Sequence, residues 1–329
     1  MTDYKTIHGK KIKFLTSDLS MSTATEGELF YSDSGKEFKV GVNVNAWASG
    51  GNLTGSSVYQ RTGFGIQTAA VAAGGTTSTA ASALVEEYDG SSWSEVNNIP
   101  DAKYDAGSFG TLTAGMVAGG LNNTTFYATN QTEEYDGTNW TEGGDLPQGQ
   151  NEPNLLGTLT AGLLAGGGGH PHPSAPPSAV RATSAEYDGS SWTAGNGINT
   201  ARAAGTCFGT QTAGLVAGGI PGTKTEVELY DGTNWTEVGD LNTARSYGGS
   251  SRTAAQTAGL VFGGGTANTE EWDGTSWTEI ANMATSRNLF DASGGTNTAA
   301  IAFGGKSPAP VVATEEFNRT VTLKTVTDS

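Results

Sequence analysis

The sequence is poor in the residues that build reactive or metal-binding centres. Its 329 residues include one cysteine, Cys207, and three histidines, His8, His170 and His172. A single cysteine excludes an intramolecular disulfide framework and a zinc site made of cysteines. We expect Cys207 to be a small buried residue near the start of a strand, and we expect neither a bound metal nor a cofactor.

Positive charge and long apolar runs are also scarce. Seventeen Lys and Arg residues stand against 33 Asp and Glu residues, which gives a formal net charge of −16. Nucleic acids and anionic membrane surfaces both require a basic face, so this balance argues against either as a partner. No segment reaches the roughly 18 apolar residues of a membrane span, and the start M-T-D-Y-K-T-I-H-G-K-K lacks the apolar core of a signal peptide. We expect no membrane insertion.

Glycine, by contrast, is abundant, with 49 residues, and much of it falls into a repeat. Apolar runs such as Q-T-A-G-L-V-A-G-G (211–219) and Q-T-A-G-L-V-F-G-G (256–264) each end in a glycine doublet. Each run predicts a short buried strand. The doublets recur with a period of about forty residues or slightly more, which is typical of a repeat fold. The six doublets are Gly74-Gly75, Gly119-Gly120, Gly166-Gly167, Gly218-Gly219, Gly263-Gly264 and Gly304-Gly305.

An acidic and aromatic turn follows each doublet. Five of the six turns contain Asp-Gly, a strong hairpin signal, and a tryptophan stands five residues after the turn aromatic in the same five. Successive tryptophans are 47, 52, 43 and 42 residues apart. The turn aspartates are Asp89, Asp136, Asp188, Asp231 and Asp273, and the tryptophans are Trp93, Trp140, Trp192, Trp235 and Trp277.

The sixth repeat lacks its tryptophan, and Trp47 lies upstream of the first doublet without a repeat of its own. The N-terminal strand near 38–47 is therefore placed to complete the last unit. Circular closure removes the free ends and unpaired edges that an open array has to cap. The sequence predicts an all-β fold, a six-bladed β-propeller over residues 46–329 with a short β-hairpin leader over residues 1–45.

The doublets, the Tyr-Asp turns, the tryptophans and the segments L-N-T-A-R (241–245), G-I-N-T-A-R (197–202) and M-A-T-S-R (283–287) resemble kelch repeats. The blades are smaller and more polar than kelch blades tend to be. Repeats of this Ala-, Gly- and Thr-rich type also resemble those of predicted virion proteins of marine and cyanobacterial phages.

The leader supports the second resemblance. K-T-I-H-G-K-K-I-K-F-L-T-S-D (5–18), followed by E-G-E-L-F-Y-S-D-S-G-K-E-F-K-V (26–40), is similar to the start of many phage tail-fibre and virion structural proteins. From the residues alone, G-E-L-F-Y and K-E-F-K-V are two strands joined by Ser-Asp-Ser-Gly. The leader is either a virion attachment module or an ordinary pair of N-terminal strands.

The repeated residues have structural explanations that compete with functional ones. The turn aspartates could bind metal, but Asp-Gly turn chemistry accounts for them. The tryptophans could stack on sugars, but packing between blades accounts for them. Arg202, Arg245 and Arg287 occupy equivalent positions and are spread around the ring rather than clustered as a sialidase requires. The tyrosine, cysteine and histidine set of galactose oxidase is also missing, so we expect no enzyme activity.

Departures from the repeat are the better candidates for binding, because loops on a rigid scaffold carry function. The proline-rich insertion G-G-H-P-H-P-S-A-P-P-S-A-V-R (168–181) includes His170, Pro171, His172 and Arg181. The loop L-N-N-T-T-F-Y-A-T-N-Q (121–131) brings Phe126 and Tyr127 into a polar tract, where they suit saccharide or protein recognition or form part of a blade strand. A His-x-His metal site on a symmetry axis is a weaker hypothesis for the first loop.

Three function hypotheses remain. The first is a non-enzymatic phage virion protein, a tail-fibre or appendage component assembled in the host bacterial cytoplasm. It contacts other virion proteins, with a homo-oligomer possible, and presents its propeller loops to a host-surface saccharide or protein. The second is a capsid-decorating or assembly protein without a receptor role. The third, ranked below both, is a glycan-processing enzyme, which a pocket with clustered carboxylates or arginines would favour.

Overall fold

The computed structural model consists of β-strands, turns and loops. No helix that could cross a membrane occurs in the part of the chain that it describes. The contacts divide the chain into two compact units, one formed by residues up to 46 with those from 318 onward, and the other by residues 47–317. The described residues are 13–15 (backbone only), 29–55, 58–77, 79–122, 127–169, 179–289 and 292–326.

The smaller unit contains the predicted hairpin. β1 (Lys13–Leu15) pairs in parallel with β2 (Leu29–Ser32), and β2 pairs antiparallel with β3 (Glu37–Ser49). The tight turn between β2 and β3 covers residues 33–36, and Lys36 closes it with a positive φ of 55°. The hairpin leader is confirmed, with the turn one residue further along than the Ser-Asp-Ser-Gly segment suggests.

The larger unit is a six-bladed β-propeller, as predicted. Blades 1 to 5 are each an antiparallel sheet of four strands, and the four strands of blade 6 belong to a six-stranded sheet. Blade 1 contains β4 (Thr62–Ile66), β5 (Ala69–Ala73), β6 (Val85–Tyr88) and β7 (Trp93–Glu95). Blade 2 contains β8 (Gly107–Thr111), β9 (Ala114–Ala118), β10 (Thr132–Tyr135) and β11 (Trp140–Glu142). Blade 3 contains β12 (Asn154–Thr158), β13 (Ala161–Gly169), β14 (Ala179–Tyr187) and β15 (Trp192–Gly195).

Blades 4 and 5 follow the same pattern, and blade 6 takes its outer strand from the start of the chain. Blade 4 contains β16 (Thr206–Thr210), β17 (Ala213–Ala217), β18 (Val227–Tyr230) and β19 (Trp235–Val238). Blade 5 contains β20 (Gly248–Ser250), β21 (Gly259–Gly263), β22 (Thr269–Trp272) and β23 (Trp277–Glu279). The order in blade 6 is β24 (Ser293–Gly295), β25 (Ala299–Phe303), β28 (Thr314–Thr325) and β3, with a small pair, β26 (Lys306–Ser307) and β27 (Ala309–Pro310), between β25 and β28.

The first strand of each blade is the inner one. Each inner strand contacts that of the next blade, and β24 contacts β4, so the ring is closed. Apolar clusters fill the space between blades; in one of them, Phe64 of blade 1 packs with Val117 and Tyr135 of blade 2. The propeller therefore has a separate core at each boundary between blades rather than one central core.

Close packing between blades explains the glycine of the T-A-G segments. A Cβ on Gly115 would stand 2.1 Å from the Phe64 ring of the preceding blade, and a Cβ on Gly259 would stand 2.3 Å from Phe208. Only glycine leaves room for the neighbouring phenylalanine. The doublets have a different cause, since both glycines of each one have positive φ, for example 63° at Gly74 and 104° at Gly75.

Candidate functional site

The turn aspartates are engaged by their own backbone. Asp89 Oδ1 accepts the N–H groups of Ser91 and Ser92, both at 2.8 Å, and the other four aspartates accept the N–H groups two and three residues on. These hydrogen bonds lower the pKa of Asp89 to about 2. Since the five turns lie in different blades, they form no common site, and the carboxylates hold the hairpins.

The repeated tryptophans pack between blades. Each one packs against the turn aromatic of its own blade, and Trp140 stacks on Tyr135 with ring centroids 4.6 Å apart. The indole N–H of Trp93 reaches back to Thr314 Oγ1 of blade 6, at 2.9 Å. Trp47 takes the equivalent position in blade 6, with its ring centroid 5.5 Å from that of Phe317. Trp93, Trp235 and Trp277 are buried, and Trp140 and Trp192 are partly buried.

Five blades bury an ion pair between a basic residue ahead of the inner strand and a glutamate on the third strand. In blade 5, Arg245 Nη2 lies 2.5 Å from Glu270 Oε1, and Glu270 also accepts the backbone N–H groups of Asn242 and Thr243, at 2.7 and 3.0 Å. Burial lowers the pKa of Arg245. These pairs explain the arginine of L-N-T-A-R. They are Arg61–Glu86, Lys103–Glu133, Arg202–Glu228, Arg245–Glu270 and Arg287–Glu315.

Blade 3 has neither residue of this ion pair. Gln150 stands where the other blades have the basic residue, and Ala185 stands where they have the glutamate. Pro147 also replaces the residue equivalent to Asn242, so one of the backbone N–H groups that would hold a carboxylate is missing. The three changes belong together, because each removes one element of the same buried interaction.

A small pocket lies at this position. Its volume is about 120 Å³. Gln150 is fully buried; its Nε2 donates to Thr183 Oγ1 at 3.0 Å, and its Oε1 accepts no hydrogen bond within the described part of the chain. We call this cavity the blade-3 pocket; it is lined by Pro147, Gln148, Gln150, Leu164, Thr183, Ser184, Ala185, Ala194 and Gly195.

Gly149, between the pocket residues Gln148 and Gln150, contacts one described residue from each of the two segments predicted to bind. Arg181 lies on β14, is half-buried, and donates from Nη1 to the carbonyl of Gly149 at 2.5 Å; burial lowers the pKa of Arg181. A Cβ on Gly149 would stand 2.1 Å from the carbonyl oxygen of Ala128, the residue after Tyr127. Tyr127 is partly exposed. The other predicted binding residues, Phe126, His170, Pro171 and His172, lie outside the described residues.

A ring of left-handed residues lies just before the inner strands. Non-glycine residues seldom adopt positive φ, and such positions cluster at functional sites. Gln60 Nε2 donates to Asp105 Oδ1 at 2.8 Å, and the Tyr247 hydroxyl donates to Glu152 Oε1 at 2.9 Å. Burial raises the pKa of Asp105 well above its usual range, and the Glu152 carboxylate adds to the shift. Within the described residues, the ring consists of Gln60, Asp105, Glu152, Ala204 and Tyr247, with φ between 51° and 56°.

The centre of the propeller is occupied by an arginine. Arg252 follows the inner strand of blade 5, and its Nη2 donates to the carbonyl of Leu155 at 2.9 Å and to the carbonyl of Ser108. These two carbonyls belong to blades 3 and 2, so the side chain crosses the ring from one side to the other. It is 5% exposed, and it joins blade 5 to the inner strands of blades 2 and 3.

Sequence reasoning found the irregular blade but missed the pocket. Two segments of blade 3 carried the signal. L-P-Q-G-Q (146–150) lacks the arginine of L-N-T-A-R, and S-A-E-Y (184–187) lacks the first glutamate of V-E-L-Y and T-E-E-W. Within the described residues, no group of three or more His, Cys, Asp or Glu side chains is placed to hold a metal ion. No protein-family model matches the chain, and no curated protein matches it.

Proposed function

We propose that this protein is a non-enzymatic structural protein of a bacteriophage particle, a tail-fibre or appendage component that presents the blade-3 side of a kelch-like propeller to a host-surface saccharide or protein. One observation carries the binding role: blade 3 replaces the buried ion pair of the other blades with a pocket next to Gly149, which contacts Arg181 and Ala128. The phage assignment rests on the resemblance of the repeats and of the leader, which would contact other virion proteins.

The repeated polar groups support a non-enzymatic role. The turn aspartates accept backbone N–H groups, and the arginines Arg61, Arg202, Arg245 and Arg287 are held in buried ion pairs. The Glu152 carboxylate acts on Asp105 by raising its pKa, and Glu152 itself accepts a hydrogen bond from Tyr247. An enzyme acting on acidic sugars would also need arginines facing this ring, whereas Arg252 is directed to backbone carbonyls.

Immunogold electron microscopy of phage particles from the source culture tests this proposal. Antibodies raised against the full chain should label the tail or its appendages, and the same antibodies should block adsorption to host cells. Labelling spread over the capsid with normal adsorption would support the alternative, a decorating protein without a receptor role. Absence of label on purified particles would contradict both hypotheses.

A further inference from the structure

We propose that the smaller unit pairs with a second copy of the chain through the open side of β28, which gives a two-fold dimer. The strands of this unit lie in the order β1-β2-β3-β28, so β28 is an outer strand there. We call residues 319–325 the β28 edge. Such a dimer does not depend on the virion role proposed above, because it concerns how the chain meets its own copy.

The strand β28 is longer than its neighbour on one side. β25 has five residues, and Gly304, the residue after it, donates its N–H to the carbonyl of Ala313, the residue before β28. The two strands therefore pair from that end, and β25 accompanies β28 only as far as residue 318. Among the described strands, none lies beside the β28 edge on this side.

No other outer strand of the described blades is as long and open. The outer strands of blades 1 to 5 are β7, β11, β15, β19 and β23, and each has three or four residues. Short outer strands, prolines and β-bulges are means by which proteins prevent edge-to-edge pairing. The β28 edge, R-T-V-T-L-K-T (319–325), has seven residues and neither proline nor glycine. Thr320, Lys324 and Thr325 are exposed, so a second strand can reach it.

The pairing with β3 determines which backbone groups face the open side. The N–H of Val326 donates to the carbonyl of Phe38 at 2.8 Å, and Arg319 Nε donates to Asn45 Oδ1 at 2.9 Å, so the two strands run antiparallel. In such a pair, residues bonded to the partner alternate with residues directed away from it. The even-numbered residues of β28 thus bond to β3. The N–H and C=O groups directed to the open side belong to residues 319, 321, 323 and 325.

The β28 edge is complementary to itself. Two antiparallel copies centred on Thr322 place residue 319 opposite 325 and residue 321 opposite 323, which brings the outward groups of both copies into hydrogen-bonded pairs. One patch then serves both copies, as a two-fold contact requires. No two like charges face each other. The cross-strand pairs are Val321–Leu323, Thr322–Thr322, Thr320–Lys324 and Arg319–Thr325.

The distribution of charge favours the smaller unit as the place where two copies meet. Residues 1–46 and 318–329 contain eight Lys and Arg against seven Asp and Glu, a net charge of +1 (8 − 7). Residues 47–317 contain nine against 26, a net charge of −17 (9 − 26). Two propellers repel each other, whereas two smaller units are close to neutral. Association through the β28 edge therefore avoids the main source of repulsion between copies.

The mass of the full-length protein in solution tests the contact. Light scattering coupled to size exclusion, over a wide range of concentration, should show twice the chain mass of 33.6 kDa at high concentration. Leu323→Pro removes an outward N–H and no bond to β3, so it should return the mass to that of a monomer. Thr322→Ala, on the same strand, is the matched control and should stay dimeric.

Two results would overturn the proposal in this experiment. One is a monomer at every concentration, as expected if another protein or another segment of this chain occupies the edge. The other is a dimer that persists in Leu323→Pro and dissociates in salt, which would indicate an electrostatic contact between the smaller unit and an acidic propeller.

A cross-linking experiment tests the register and needs no variant that disrupts a strand. In the proposed pair the two Thr322 Cα atoms lie about 4.5 Å apart, as in other non-hydrogen-bonded pairs, which suits a disulfide. Thr322→Cys should therefore cross-link two copies under mild oxidation, whereas Thr320→Cys, which faces Lys324, should not. Cys207 is buried and is kept in both variants. Cross-linking of both variants to the same extent, or of neither, would overturn the proposal.

Discussion

The Tyr88 hydroxyl donates a hydrogen bond to Glu316 Oε1 over 2.5 Å, which joins the first blade to the sixth. Burial, followed by this bond, raises the pKa of Tyr88 to about 12. At the boundary between blades 4 and 5 the equivalent residues are Trp272 and Leu229, so the polar partners are replaced together. The same tyrosine–glutamate bond recurs at three boundaries, in Tyr135–Glu87, Tyr187–Glu134 and Tyr230–Glu186.

Replacing Tyr88 by Phe should weaken ring closure. Hydrogen bonds to charged groups contribute about 1.5–3 kcal/mol, so we expect Tyr88→Phe to lower the free energy of unfolding by about 1–2 kcal/mol. The measurement is denaturant unfolding of Tyr88→Phe, Glu316→Gln and the double variant. A coupling energy near zero in this cycle would show that the bond does not stabilise the boundary.

Truncating Trp47 should open blade 6 before the others. Its ring centroid lies 4.9 Å from that of Phe262, and its indole N–H donates to Thr269 Oγ1 at 3.0 Å. Loss of a large packed aromatic costs about 3–5 kcal/mol, so Trp47→Ala should be strongly destabilising, whereas Trp47→Phe should be milder. Hydrogen exchange should accelerate first in β24 and β25. Uniform acceleration around the ring would contradict this expectation.

Breaking one buried ion pair should cost far more than replacing it as a pair. Glu270→Ala leaves the Arg245 guanidinium buried without its carboxylate, and we expect a loss of about 3–5 kcal/mol in unfolding free energy. The double variant Arg245→Gln with Glu270→Ala copies blade 3, and it should recover most of that loss. Thermal and denaturant unfolding of both variants checks this. If the double variant were less stable than Glu270→Ala alone, the neutral residues Gln150 and Ala185 of blade 3 would be tolerated for another reason.

Asp105 should make stability depend on pH. Since burial raises its pKa in the folded protein, its contribution to stability is complete below the pKa of the unfolded chain, and it is lost as the pH rises through the folded-state pKa. Asp105→Asn removes this dependence, so the variant should melt at a higher temperature than the wild type at pH 8. The difference should shrink towards pH 4.

Gln60→Ala, which removes a donor to Asp105, serves as a control, because its effect should be largest where Asp105 is ionised. If the difference in melting temperature between Asp105→Asn and the wild type did not change with pH, Asp105 would not be the source of the pH dependence.

Local signals made the propeller predictable. The Asp-Gly turns fold by contacts within four residues, as at Asp89, and the tryptophan spacing determines the number of blades and the position of Trp47. What remained hidden depends on the neighbouring blade. The glycine at 115 is required by Phe64, 51 residues earlier (115 − 64), and the Glu316 carboxylate meets Tyr88 only after the ring closes.

The ring of positive φ values and the pocket were hidden for different reasons. Gln60, Asp105, Glu152, Ala204 and Tyr247 share a backbone conformation but no residue type, so no motif marks them. The pocket was hidden because its signal is the simultaneous loss of a basic residue at position 150 and a glutamate at position 185, which lie 35 residues apart (185 − 150). The virion role of the leader and the binding role of the residues around His170 stay predictions.

Blade 3 keeps its connections to both neighbours although its interior differs. Tyr187 donates to Glu134 of blade 2, Tyr230 of blade 4 donates to Glu186, and Gln211 of blade 4 donates to the carbonyls of Gly162 and Tyr187. None of these atoms belongs to the ion-pair position. The residues around Gln150 and Ala185 can thus change while the hydrogen bonds that join blade 3 to blades 2 and 4 stay the same.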